Sequence, residues 1–189
     1  MRIDSGVCFF AFSFIIFISC AQKPLKSRSE IYSHNSINLL NDLLELDENK
    51  NCDCVLEPSN QSMIEKFKID VPSFEFKNYI VTKLKLQNKT ELDSIYGLSE
   101  KLVLIPSLLK STVKLVTRKE YDSIFNKYEF RKANQIIFET YPTLCYFTKP
   151  IFDKNFEKGL IDLNTGTIHL ITVPPKVKLV QGQWNYDWN

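Results

Sequence analysis

The sequence predicts an α+β domain, with N-terminal helices packed on an antiparallel sheet drawn mainly from the second half of the chain. Three observations carry this expectation. From Ser36, residues Ile37, Leu40, Leu43 and Leu44 fall on one side of a helix. Thr117-Arg118-Lys119-Glu120 has the form of a capping box, and Tyr121, Ile124, Phe125 and Tyr128 follow at helical spacing. Between Tyr141 and Asn189 lie three or four β-type runs separated by turn residues, the pattern of a meander.

The chain has 189 residues, 44% of them hydrophobic and 24% charged, which suits one globular domain with a single core. Its 24 basic and 22 acidic side chains leave a formal charge of +2, too little basic excess to neutralise a nucleic-acid backbone. With five glycines and neither GxGxxG nor GxxxxGK[ST], no phosphate cradle is encoded, and nothing points to a cofactor.

The N-terminus reads as an export signal. Arg2 opens it, and residues 7–18 are apolar apart from Ser13, a run of signal-peptide length that is too short to span a bilayer. The run ends at Ser19-Cys20-Ala21, which resembles the lipobox of bacterial lipoproteins, although Phe17 stands where leucine is usual and Asp4 is acidic. That resemblance implies cleavage after residue 19, acylation of Cys20 and attachment to the membrane. Ala21 in place of an acidic residue implies sorting to the outer membrane; without acylation the protein is secreted.

The polar residues 20–35 read as a tether and 36–189 as the domain. The first helix is expected to stop near Glu48. Ser59 is placed as the cap of a helix holding Met63, Ile64 and Phe67. Phe74, Phe76, Tyr79, Val81, Leu84 and Leu86 read as one or two strands, and Thr90 to Leu98 as a short helix. Leu102 to Ile105 and Val113 to Val116 are β-branched or apolar runs separated by Pro106 to Ser111.

From the Thr117 helix onward the chain resembles an uncharacterised family of small secreted bacterial proteins. The resemblance rests on Ile124-Phe125, Phe138-Glu139-Thr140-Tyr141-Pro142, Phe147-Thr148-Lys149-Pro150-Ile151-Phe152 and the lysine-rich final strand with Trp184. It covers about the last third of the chain and lacks the Gly- and Cys-rich loop such relatives carry. It implies secretion and a C-terminal sheet, and implies no activity.

Candidate site residues are few. Once Cys8 is removed and Cys20 acylated, Cys52, Cys54 and Cys145 remain; an oxidising compartment favours a disulfide from Cys145 to Cys52 or Cys54. Zinc or copper held by these cysteines and a histidine is disfavoured, because CxC is not the usual CxxC knuckle. His34 falls in the tether. His169 with Asp162 is the minimum of an acyl-transfer site, yet no nucleophile motif accompanies them. A type I turn over Leu163-Asn164-Thr165-Gly166 with a bulge would set Ile161 opposite His169 and turn Asp162 away; a two-residue Thr165-Gly166 turn would pair them. Trp184, Tyr186 and Trp188 share one face of a strand. Buried, they close the core; exposed, they form a stacking platform for sugar rings or a partner protein. The overall expectation is a lipid-anchored envelope protein acting as a binding or structural component, with an envelope protein or glycan as partner; the alternative is a small envelope hydrolase using His169 and Asp162.

Overall fold

A computed structural model describes residues 26–61, 63–65, 75–100, 102, 104–110, 112–165 and 173–188. The fold is α+β, with helices mostly in the N-terminal part and two sheets. Among the described residues no helix is long and apolar enough to cross a membrane.

The first helix, α1, runs Arg28–Glu45, its Ser27 cap nine residues before the Ser36 cap expected from the sequence. Ser27 is its cap: the Ser27 hydroxyl accepts from the Glu30 amide, and the Glu30 carboxylate accepts from the Ser27 amide. The segment read as a tether is therefore in part helix, and Ser36 lies buried inside it, donating to the Tyr32 carbonyl one turn back. Tyr32, Leu39, Leu40 and Leu43 are fully buried along this helix. Each burial of this kind is worth about 2 kcal/mol.

Phe76–Leu84 forms a helix, α2, rather than the expected strands. Phe76, Ile80 and Leu84 are spaced by four residues and make one buried stripe; Lys85 then ends the helix in the left-handed conformation (φ 54°). Helix α3 follows at Lys89–Ser99, capped by the Asn88 side chain. Residues 63–65 are helical, whereas the Ser59 hydroxyl donates to the Gln61 carbonyl instead of capping them. Pro106–Leu108 is a 3-10 turn, and the described part of 102–105 is not strand. Helix α4, Arg118–Lys127, carries the expected Thr117–Glu120 capping box. Its Tyr121, Ile124 and Phe125 are half-buried in a cluster that includes Ile137 of a further helix, α5 (Phe130–Thr140), which the sequence pattern does not announce.

The first sheet orders its strands β2-β1-β3-β6, with β1 Cys54–Leu56, β2 Lys114–Val116, β3 Leu144–Phe147 and β6 Leu163–Thr165. β1 is parallel to both neighbours and β6 is antiparallel to β3, so this sheet is mixed and not part of a meander. The second orders β4 (Ile151–Phe152), β5 (Lys158–Leu160), β7 (Lys176–Val180) and β8 (Gln183–Tyr186), all antiparallel. Residues 163–165 are thus strand rather than the expected turn: their ladder with β3 (Tyr146 opposite Asn164) uses the backbone that the turn needed. The β7–β8 hairpin turns on Gln181 and Gly182, both at positive φ (52° and 83°), the pair of conformations a tight two-residue hairpin requires.

Two strands change sheets together. β3 continues into β4 and, antiparallel to them, β5 continues into β6. Phe147 faces Leu163 and Ile151 faces Leu160, so three residues (148–150) on one side oppose two (161–162) on the other. The extra residue is a bulge, and it bends the ribbon from one sheet to the next. Thr148 and Asp162 hold the crossing: the Thr148 amide donates to the Asp162 carbonyl at 2.9 Å, and the Asp162 amide to the Thr148 hydroxyl at 3.0 Å. The Pro150 carbonyl accepts instead from the buried Tyr32 hydroxyl at 2.7 Å.

Candidate functional site

β8 and the segment leading into β7 form one wall of a cleft of about 510 Å³. Its lining combines aromatic rings (Tyr79, Tyr186, Trp188), prolines (Pro174, Pro175), carboxylates (Glu48, Asp162, Asp187), lysines (Lys83, Lys176) and the Asn164 amide. The three C-terminal aromatics, expected to share one fate, have three different ones. Trp184 is 1% exposed, its ring packed on Phe152 with centroids 5.3 Å apart. Tyr186 is half-buried, and its hydroxyl accepts from the Asn49 amide at 3.2 Å. Trp188, just beyond the strand, is 73% exposed. Its ring lies 5.0 Å from that of Tyr186 at 31°, so the two make a tilted pair with one member half-buried and one open to solvent.

The polar groups around this pair are held in place. Asp187 accepts from Lys176 at 2.9 Å and Lys178 at 3.4 Å, and the Lys176 hydrogen bond is the main cause that holds its carboxyl below the usual range. Burial pushes the Tyr186 and Tyr79 phenols up, so both remain neutral donors at physiological pH. Tyr79, presented by α2, donates to the Pro174 carbonyl at 3.3 Å and fixes the wall that precedes β7. Asp162 is 5% exposed, and its carboxylate accepts from the Asn164 amide.

The other expected residues separate. Cys20 and His169 lie outside the described residues, as does the register of the strand expected after Gly166. His34 stands on α1, not in a tether, with its ring 3.3 Å from the Asn38 amide. Of the two partners weighed for Cys145, Cys52 is the bonded one, with Cα atoms 5.5 Å apart. Cys54 is a free, half-buried thiol whose pKa burial raises. The disulfide removes two of the three thiols a zinc or copper site would have used, and among the described residues no group of three or more His, Cys, Asp or Glu could hold a metal ion.

The sequence reading missed Tyr79, Lys83 and the Pro174-Pro175 wall. Tyr79 falls in a stretch that reads as strand, and no local pattern announces that α2 meets the segment before β7. Searches with the chain find no matching family model, no similar curated protein and no similar solved structure.

Proposed function

We propose that this protein is a lipid-anchored cell-envelope component, acylated at Cys20, that binds a glycan in the cleft below Trp188 without transforming it. The observation that carries the reading is the Tyr186–Trp188 pair at the mouth of a cleft edged by charged and amide groups. A sugar ring offers an apolar face to a flat aromatic surface and hydroxyls to the surrounding carboxylates, amides and ammonium groups, and this lining supplies both. Phosphate-rich ligands are poorly matched, because Glu48, Asp162 and Asp187 share the site with Lys83 and Lys176. The hydrolase alternative is less well supported, since the Asp162 carboxylate already accepts from Asn164.

Titration with soluble cell-wall oligosaccharides, read by calorimetry so that wild type and Trp188→Ala report in the same way, tests this. Saturable binding that Trp188→Ala weakens about tenfold or more, or about 1.4 kcal/mol, supports the reading; equal affinity in that variant removes it. The anchor is tested apart from the cleft: Cys20→Ala should abolish fatty-acid labelling and release the protein from the membrane fraction.

A further inference from the structure

A second, smaller cavity of about 280 Å³ lies under the sheet crossing, lined by Glu57, Asn60, Glu100, Arg118 and Lys149 with the apolar Leu102 and Leu104. It shares no lining residue with the cleft. At its wall is Lys149, only 7% exposed. A lysine is almost never buried to this degree unless paired, because its ammonium loses hydration. Among the described residues its ammonium makes no hydrogen bond or close ion pair; the stem is buried while the ammonium keeps some access to solvent, with Glu100 and Glu65 as neighbouring charges. The backbone explains how it came to be buried. Lys149 is the middle residue of the 148–150 bulge, where the ladder is interrupted and a side chain can be re-aimed away from the alternation of the strand.

Arg118 is the second cation of the cavity. One edge of its guanidinium is fixed, with Nη2 donating to the Glu57 carbonyl at 2.8 Å, and its amide donates to the Glu57 carboxylate at 2.9 Å. Its Nε is buried with no partner among the described residues. The Tyr121 ring lies 5.5 Å from the guanidinium carbon, which limits where that group can move. Facing these cations are Glu57, already engaged by Arg118, and Glu100, which accepts no hydrogen bond among the described residues. Burial lowers the Lys149 pKa, and the Glu100 and Glu65 charges oppose that change.

We propose that this cavity is a binding site for a small zwitterion of the α-amino acid class, its carboxylate on Lys149 and the Arg118 Nε and its ammonium on Glu100. The mixed lining selects against the simpler ions. An inorganic phosphate would bring its charge beside Glu57 and Glu100, and an amine alone would leave the buried Arg118 Nε without an acceptor. A carboxylate supplies that acceptor and a counter-ion for Lys149, and an ammonium on the same small frame can reach the solvent-facing Glu100. The volume, below the range of pockets for drug-sized ligands, suits a ligand of a few heavy atoms.

Calorimetric titration of the purified full chain with glycine, acetate, methylammonium and inorganic phosphate tests the proposal. Glycine should bind saturably, acetate more weakly, and methylammonium and phosphate more weakly still. Lys149→Met should lose glycine binding by more than tenfold. Glu100→Gln changes an exposed side chain and should leave the fold intact, yet erase the preference for glycine over acetate. Absence of saturable glycine binding overturns the proposal. So does acetate or phosphate binding as tightly as glycine, or a Glu100→Gln variant with unchanged preference. The last comparison decides the matter even if Lys149→Met does not fold.

Discussion

The backbone amide of Trp184 donates to the carboxylate of Asp42 at 2.9 Å, joining residues 142 positions apart. This bond pins β8 to α1 at the point where the Trp184 ring enters the core. Removing the acceptor leaves a partly buried amide unsatisfied. Asp42→Ala should therefore cost about 2 kcal/mol and lower Tm by about 4–8 °C in a domain of this size. Asp42→Asn, which keeps an acceptor, should cost less than half as much; thermal denaturation of the two variants compares them.

The Cys52–Cys145 disulfide closes a loop of sequence separation 93. In the chain-entropy view a loop of this length stabilises the fold by about 4–5 kcal/mol. Cys52→Ser and Cys145→Ser should each lose most of this in denaturant unfolding, and Cys54→Ser should lose little. Peptide mapping without reduction should recover a Cys52–Cys145 linked fragment. A Cys54–Cys145 fragment would contradict the pairing.

Alkaline pH should weaken the fold through Tyr32. Burial pushes its phenol pKa well above the ordinary value, while in the unfolded chain it titrates near 10. A raised folded pKa means that stability is fully present below about pH 10 and is lost as pH rises beyond it, by at most about 1.4 kcal/mol per pH unit for this one group. Tyr32→Phe should cost about 1 kcal/mol at neutral pH, from the lost bond to the Pro150 carbonyl. It should also flatten the alkaline decline measured by denaturant unfolding between pH 9 and 11.

The acid limb has the opposite sign. Hydrogen bonds from Lys176 and Lys178 hold the Asp187 carboxyl below its unfolded value of about 3.9. Its contribution is present above that value and is lost as pH falls through the folded pKa. Screened by solvent at the cleft edge, it amounts to about 1 kcal/mol or less. The Tm difference between wild type and Asp187→Asn should be visible at pH 6, shrink below pH 4, and be reduced by salt.

The α4 capping box was legible because its signal is local: Thr117 and Glu120 name the boundary themselves. Ser27-Arg28-Ser29-Glu30 carries the same signature, but it stands in a polar run that reads as a tether, so its helix boundary escapes the sequence reading. Phe74, Phe76, Tyr79 and Val81 alternate nearly well enough for a strand. The deciding spacing, Phe76, Ile80 and Leu84, is helical and becomes plain only when Leu84 is paired with the buried side of α2. Parallel pairing of β1 with β2 and β3 joins residues near 55, 115 and 145, and such contacts leave no mark on any one stretch. The same holds for the cavity at Lys149, whose charged lining comes from positions 57, 100, 118 and 149. The aromatics at 184, 186 and 188 were visible as a set, but strand periodicity alone gave no reason for Trp188 to leave the strand and face solvent.

Were Cys20 acylated, the early start of α1 would set how far the folded body could stray from a bilayer. A leash spanning residues 20–35 would let it roam over roughly 55 Å at about 3.5 Å per residue. With Ser27 already fixed as the helix cap, only the seven steps from Cys20 remain, a reach of about 25 Å at full extension. A protein acylated at Cys20 would thus be confined to a thin shell at the lipid surface. Ligands carried on that same membrane would meet it at a high effective concentration, and those lying farther off would have to come to it.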